Sequence, residues 1–242
     1  MILCIDCGNS RIKWGVHAAG EWCARGALAH AEVAQLAALT VDWPEIGKIL
    51  FANVAGPELA AAVSEALGGR GIVTVRSSAA AAGVRNGYAL PERLGVDRWC
   101  ALIGAWSRVQ GACLVVMAGT ATTVDRLDAG GRFPGGLILP GLELMRKSLA
   151  RDTAALPLAQ GRHVPDPDCT GDVIVSGCLE AQAGAIERAW RRLGDAAAPC
   201  LLSGGAADAI GPALTIPWQG VDNLVLEGLR RLADKAGDMP AG

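Results

Sequence analysis

A glycine-bearing hairpin pattern occurs twice in this chain of 242 residues, at its beginning and near its middle. In the first copy, the apolar residues 2–5 predict a buried strand that ends at Asp6, and a Gly-Asn-Ser turn follows at 8–10. Apolar and polar residues then alternate over 12–16, which predicts a returning strand. Because glycine has no Cβ, such a turn lets backbone N–H groups approach an anion closely.

The second copy repeats this design. An apolar stretch that starts at Leu114 runs into Gly119 and Thr120, and strand-like alternation follows over 123–127. The separation of the two copies is far too long for a solenoid repeat, so it indicates two related halves. We expect each half to contribute one phosphate-contacting hairpin to a common cleft. For the first copy taken alone, an ordinary hairpin with an aspartate at its turn is an equal alternative.

Composition restricts the class of protein. At 51% hydrophobic residues, the chain is long enough to bury one large core or two modest ones. The formal net charge is −2 and no basic run occurs, so nucleic acid is not an expected partner. No apolar run reaches the length of a membrane span, and no signal peptide precedes the first strand. We therefore expect a cytoplasmic protein without a membrane partner.

The sequence lacks the P-loop and the G-x-G-x-x-G motif, so a bound nucleotide would be held in another way. The eight cysteines are scattered and mostly lie in apolar segments, which is typical of reduced core thiols. Cys4 and Cys7 form a C-x-x-C pair on a predicted strand, and no second pair exists to complete a zinc site.

Several motifs in a fixed order resemble the type III pantothenate kinase family, which belongs to the acetate and sugar kinase, heat-shock protein and actin superfamily. The matching segments are Asp6-x-Gly8-Asn9-Ser10, Tyr88, Gly95-Val96-Asp97-Arg98, Gly119-Thr120-Ala121-x-Thr123, Gly135-Gly136-x-Ile138-x-Pro140-Gly141 and Ser203-Gly204-Gly205-Ala206. The resemblance implies an α/β fold with two duplicated actin-like (ribonuclease H-like) lobes, residues 1–111 and 112–242. Each lobe would hold a mixed five-stranded sheet flanked by helices, with the cleft between the lobes.

The resemblance also implies ATP-dependent phosphorylation of pantothenate to 4′-phosphopantothenate, the first step of coenzyme A biosynthesis. Asp97 would be the general base, and Asp6 would orient Mg²⁺ on the nucleotide phosphates. The implied ATP and phosphate contacts are Asp6, Gly8, Asn9, Ser10, Lys13, Gly119, Thr120, Gly204 and Gly205. The implied pantothenate contacts are Tyr88, Gly95, Val96, Asp97, Arg98 and Thr170. The family further implies a homodimer that completes the pantothenate pocket across its interface.

The residues themselves leave simpler alternatives open. The planar donors of Arg98 suit a carboxylate, yet Asp97 and Arg98 also fit a helix cap followed by a surface arginine. Lys13 fits the solvated face of a strand equally well. Gly204 and Gly205 would serve a strand-to-helix turn in any protein.

One position departs from the family pattern. The second phosphate motif usually opens with an aspartate that ligates a monovalent cation, and this chain has Met117 there. Because K⁺ and NH₄⁺ prefer oxygen ligands, we expect the cation site to be absent, to be built from other oxygens, or to support reduced activity. Two other functions stay open: a kinase for another small alcohol, such as a sugar, and a non-catalytic regulatory or transcription accessory protein with the same fold.

Hydrophobic periodicity predicts the remaining elements. The predicted helices cover 31–39, 58–67, 98–109, 143–149, 171–193 and 221–233, and further strands cover 21–28, 48–54, 71–75 and 200–202. Proline, aspartate and glycine over 156–170 predict a flexible surface loop, and 234–242 is predicted to fray.

Overall fold

The structure is a computed structural model that describes residues 1–158 and 160–235. The chain divides into two compact units. The first contains Met1–Arg108 together with residues 224–235, and the second contains Val109–Asn223. Most of the tail predicted to fray, 234–242, lies outside the described residues.

The first unit is built on a mixed five-stranded sheet with the order β3-β2-β1-β4-β5. Its strands are β1 (Ile2–Cys7), β2 (Ile12–Ala18), β3 (Glu21–Leu28), β4 (Lys48–Asn53) and β5 (Ile72–Thr74). The first three strands pair antiparallel, whereas β4 pairs parallel with β1 and with β5. The central strand β1 is buried on both faces, which explains its unbroken apolar run.

Four helices and a small hairpin complete this unit. The helices are α1 (Leu36–Asp42), α2 (Pro57–Ala66), α3 (Val96–Val109) and α7 (Leu224–Lys235), and the hairpin strands are β6 (Ala80–Ala81) and β7 (Val84–Asn86). The helix predicted over 31–39 is instead a 3₁₀ turn, His30–Gln35, continued by α1. Leu3 and Ile5 on one face of the sheet join a core with Leu36 of α1 and Val63 of α2.

Helix α7 packs against β1 and β4 of the first unit. A Cβ at Gly104 of α3 would overlap the backbone of Leu224, and one at Gly228 of α7 would overlap the backbone of Cys100. Glycine therefore lets the two helices touch backbone to backbone. Because of this packing, the compact units differ over the last helix from the lobes predicted at 1–111 and 112–242.

The second unit contains another mixed five-stranded sheet, with the order β11-β9-β8-β12-β13. Its elements are β8 (Cys113–Ala118), β9 (Ala121–Leu127), β10 (Arg132–Phe133), β11 (Gly136–Pro140), α4 (Leu142–Asp152), α5 (Thr170–Arg191), β12 (Cys200–Ser203), α6 (Ala207–Ile210) and β13 (Trp218–Gly220). Val116, Val124 and Leu202 on the sheet pack in one core with Leu179 and Ile186 of α5. Two mixed five-stranded sheets flanked by helices confirm the predicted fold class.

The segment 156–170 has no regular structure before α5, but it is tied to that helix. The backbone N–H of Arg162 donates to Asp172 at 2.8 Å, and that of Val164 donates to the Ser176 hydroxyl at 3.1 Å. The His163 ring lies 2.9 Å from the Glu180 carboxylate. Polar side chains on α5 thus hold a segment whose composition predicts a flexible loop.

The described helices include none that is both long enough and apolar enough to cross a membrane. Cysteines in the predicted apolar segments are buried and free, namely Cys4, Cys100, Cys113, Cys178 and Cys200. Burial raises the pKa of Cys4 to about 12, and that of Cys7 also to about 12. Both thiols of the C-x-x-C pair therefore keep their protons at neutral pH, which suits a core role.

Candidate active site

The first hairpin turns tightly at the end of β1. The backbone N–H of Gly8 donates to the carbonyl of Arg11 at 3.1 Å, which closes the turn, and Asn9 and Ser10 at its tip are exposed. Strand β4 ends at the same edge of the sheet, where the N–H of Val54 donates to the carbonyl of Cys7 at 3.0 Å. The tip thus lies at the end of two central parallel strands, β1 and β4. These strands rigidly support the N–H groups that could bind an anion.

Asp6 is buried directly before this turn. The residue is 7% exposed, and its Oδ1 has no hydrogen-bond partner among the described residues. Burial raises the pKa of Asp6 from 3.8 to about 7; the cross-strand neighbour Lys13 opposes this shift, and the Asp97 charge adds to it. A buried carboxylate oxygen without a partner fits a divalent cation, because such cations prefer oxygen ligands. Binding of the cation would offset the free-energy cost of removing the carboxylate from water.

Asp97 lies in the first turn of α3, close enough to Asp6 for their charges to interact. Its Oδ1 accepts the backbone N–H of Arg98 at 2.8 Å, which orients the carboxylate. A Cβ on Gly95 would lie only 2.7 Å from that same oxygen. Glycine at 95 therefore leaves room for the Asp97 carboxylate in its observed position, beside the half-buried Val96.

Arg98 is buried at 5% exposure and donates from Nη1 to the Tyr88 hydroxyl at 2.9 Å. This contact refutes the simpler alternative of a surface arginine. Asn86 holds the backbone around Tyr88 in place. Its Oδ1 accepts the Tyr88 N–H at 3.1 Å, and its Nδ2 donates to the carbonyl of Pro91 at 3.0 Å. The irregular segment before α3 is thus held by side chains that no periodic pattern reveals.

The second hairpin joins β8 to β9. The N–H of Gly119 donates to the carbonyl of Ala121 at 3.1 Å, while Gly119 and Thr120 are exposed. Two other glycines contact its backbone: Gly141 donates to the carbonyl of Thr120 at 2.9 Å, and a Cβ on Gly204 would overlap Ala118. Gly204 also has φ of +102°, a conformation that favours glycine.

Met117 offers a thioether at the position where the sequence resemblance implies a carboxylate. It is half-buried on β8, directly between Thr123 of β9 and Ser203 of β12. Both hydroxyl oxygens are buried and lack a hydrogen-bond partner among the described residues. Two neutral hydroxyls and a thioether are a poor fit for a hard monovalent cation, which prefers a larger set of oxygens.

Gly205 is exposed, with open space where a Cβ would stand. Thr170 is the exposed first residue of α5, at the wall of an apolar cavity of about 360 Å³. Residues from α4, α5 and the preceding segment complete the lining, namely Met145, Leu149, Leu156, Val173, Ile174, Gly177 and Cys178. The helical spacing of apolar residues predicts α4 and α5. It does not predict this cavity, because the cavity depends on how the two helices pack.

The first unit therefore brings together the hairpin tip, Asp6, Lys13 and Asp97. Arg98 follows Asp97 in the sequence, and its side chain contacts Tyr88. The second unit brings together Gly119, Thr120 and Gly204, while Thr170 lies at its apolar cavity. Sequence reasoning missed His30, whose ring contacts the carbonyl of Gly8. A single histidine after a strand gives no periodic or motif signal.

The family model for type III pantothenate kinase matches residues 2–192 of this chain. A relative named type III pantothenate kinase from Dechloromonas aromatica is 55% identical over 238 residues, covering 98% of this chain and all of the relative.

Among solved structures, a candidate Baf family transcriptional activator from Campylobacter jejuni aligns with a TM-score of 0.66 at 18% identity. The alignment covers 98% of this chain and 100% of the chain in that structure. A candidate 2-dehydro-3-deoxygalactonokinase from Sinorhizobium meliloti aligns with a TM-score of 0.60 at 15% identity, with both chains fully covered. These two structures support the fold. Because the family model matches most of its length and the relative is similar over nearly all of it, the chain belongs to the type III pantothenate kinase family.

Proposed function

We propose that this protein transfers the γ-phosphoryl group of ATP to the 4′-hydroxyl of pantothenate, giving 4′-phosphopantothenate and ADP for coenzyme A biosynthesis. Family membership supports the reaction. The observation that carries the assignment of residues is the grouping, within one unit, of the buried Asp6 with Asp97 and the Arg98–Tyr88 pair.

Asp97 acts as the general base in this proposal. Its carboxylate accepts the hydroxyl proton while the alcohol oxygen bonds to the γ-phosphorus and the bond to the β–γ bridging oxygen breaks. The Oδ1 of Asp97 already accepts one backbone N–H. A carboxylate has capacity for several acceptor contacts, so this bond orients the group without preventing proton transfer.

Arg98 binds the carboxylate of pantothenate, with Tyr88, Gly95, Val96 and Thr170 as further contacts. A guanidinium group suits this task because its charge is permanent and its donors form a planar fork. The hydrogen bond that Arg98 donates to the Tyr88 hydroxyl holds the guanidinium in place before substrate arrives.

ATP binds through backbone and small side chains of both hairpins. The contacts in this proposal are Gly8, Asn9, Ser10, Lys13, Gly119 and Thr120 for the phosphates, and Gly204 and Gly205 for the adenine. Asp6 holds Mg²⁺, whose charge neutralises the phosphate oxygens when it is bound. The orphaned Oδ1 of Asp6 supports this role.

We also propose a homodimer in which Thr170 lies near the interface. Apolar side chains on the same elements are exposed, including Leu144 at 41% and Val173 at 50%. Val173 also lines the apolar cavity, and an exposed apolar patch is typical of a protein–protein contact surface.

Activity should not depend on K⁺ or NH₄⁺, because Met117 replaces the carboxylate that would ligate the cation. We expect less than about a twofold change in rate when KCl replaces a bulky organic cation at constant ionic strength. The Met117→Asp variant is the matched comparison, because it supplies the missing carboxylate, and we expect KCl to activate it. Strong, saturable activation of the natural protein would contradict this expectation.

A coupled assay of ADP release, with and without pantothenate, tests the proposed function. Release that depends on pantothenate supports it, together with formation of phosphorylated pantothenate by mass spectrometry. Release that depends on a sugar or another alcohol instead would identify a different kinase. Nucleotide binding without turnover on any alcohol would favour the regulatory alternative.

A further inference from the structure

His30 contacts the backbone of the first hairpin. Its Nε2 lies 2.9 Å from the carbonyl oxygen of Gly8. A carbonyl oxygen only accepts hydrogen bonds, so Nε2 carries the proton and donates. The contact follows from the sheet: Leu28 at the end of β3 pairs with Ile12 at the start of β2, and His30 follows two residues later beside the turn.

The accepted carbonyl belongs to the peptide group that joins Gly8 and Asn9. This peptide is trans, as all described peptide bonds are, so its C=O and N–H point in opposite directions. A donor that fixes the Gly8 carbonyl therefore also fixes the direction of the Asn9 N–H. That N–H points away from His30, at the exposed tip of the hairpin.

Gly8 makes such a restraint necessary. Its φ lies outside the left-handed region, and a Cβ would only reach ordinary contact with the Arg11 carbonyl oxygen, at 3.6 Å. Steric contact thus does not determine the orientation of the following peptide, and glycine allows that peptide to turn over readily. A turned peptide would present a carbonyl oxygen, which repels anions, where the N–H would otherwise stand.

We propose that His30 is a positioning residue for ATP: its Nε2–H holds the Gly8–Asn9 peptide with the Asn9 N–H directed at the phosphates. This inference rests on the proposed function, because it takes the hairpin as a phosphate-binding element. In this proposal, His30 acts through the Gly8–Asn9 peptide and not through a direct contact with either substrate. Both the neutral Nε2–H tautomer and the imidazolium form can donate this bond.

The test compares three variants of the full-length protein. His30→Ala removes the donor, whereas His30→Gln places an amide N–H₂ group at about the position of Nε2. Glu32→Ala is the matched control, because Glu32 accepts the N–H of Ala29 at 2.8 Å and stabilises the same turn without contacting the hairpin. For each protein, KM is measured for ATP and for pantothenate, with the dissociation constant of a non-hydrolysable ATP analogue and the melting temperature.

We expect His30→Ala to raise the KM for ATP and the analogue dissociation constant by about three- to tenfold, the usual effect of one hydrogen bond. The KM for pantothenate should stay within about twofold, and both His30→Gln and Glu32→Ala should resemble the natural protein, because each retains a donor for Gly8. A KM for ATP that is unchanged in His30→Ala would overturn the inference. A loss of ATP affinity in folded His30→Gln or in Glu32→Ala equal to that in His30→Ala would also overturn it. Such a loss would show that the effect comes from packing of the turn.

The two proposals fail in different ways. If the natural protein binds the analogue but does not phosphorylate pantothenate, the proposed function is wrong, and the analogue affinities still decide the role of His30. If the natural protein is an active pantothenate kinase and His30→Ala matches it, only the positioning role is wrong.

Discussion

Replacing Asp97 with asparagine should lower kcat for pantothenate phosphorylation by about 10²- to 10⁴-fold, the usual contribution of a general base. An amide cannot take the proton that the alcohol must lose. The fold should survive, because the amide oxygen of asparagine can still accept the Arg98 N–H that Asp97 accepts at 2.8 Å. Steady-state kinetics with saturating ATP, together with the melting temperature, would measure both effects.

The Asp42→Asn variant is a suitable control for this experiment. Asp42 is exposed at the end of α1, so its substitution removes the same charge from the same unit without touching the hairpin or α3. Its kcat should stay within about twofold of the natural value. A kcat for Asp97→Asn within about threefold of the natural value would exclude proton transfer to Asp97 as a significant part of catalysis.

The sequence predicts the elements of this fold well where a periodic pattern is strong. The unbroken apolar run of β1 and the helix over α3 both appear as predicted, because strong burial in the centre of a sheet or in a packed helix leaves a clear apolar signal. The 3₁₀ turn at His30–Gln35 was not predicted. Short 3₁₀ and α turns share nearly the same spacing of apolar residues, so periodicity cannot separate them.

The candidate site is less visible to sequence patterns, because it depends on contacts between distant segments. The Asp6 and Asp97 motifs are local, but their electrostatic interaction requires the observed arrangement of β1 and α3. The Tyr88–Arg98 bond likewise converts a possible surface arginine into a buried, oriented one. The close contact of α7 with α3 depends on glycines in two helices far apart in the chain, which no local pattern connects.

Replacing Asp6 with asparagine should abolish tight binding of Mg²⁺–ATP and yet stabilise the ligand-free protein at high pH. The cause is the pKa of Asp6, which burial raises from 3.8 to about 7, with Lys13 opposing and Asp97 adding to the shift. Between these two values, the folded carboxyl keeps its proton while the unfolded one has lost it. The folded state then binds more protons, so stability falls as pH rises through this window.

The contribution of Asp6 to stability is fully present below its unfolded pKa and is lost as pH rises through about 7. Asparagine does not titrate, so Asp6→Asn should match the natural protein near pH 4 and exceed it at pH 8. The expected excess is about 2–4 kcal/mol, or roughly 5–10 °C in melting temperature, measured with EDTA present.

Mg²⁺–ATP should reverse this order at pH 8, because ligand binding stabilises only the protein that retains the carboxylate. Asp42→Asn again serves as control, since an exposed carboxylate should give a pH profile parallel to that of the natural protein. Parallel profiles for Asp6→Asn would contradict the burial of an uncompensated charge at position 6. Equal stabilisation of Asp6→Asn and the natural protein by Mg²⁺–ATP would instead remove Asp6 from the proposed metal site, whichever way the ligand-free profiles run.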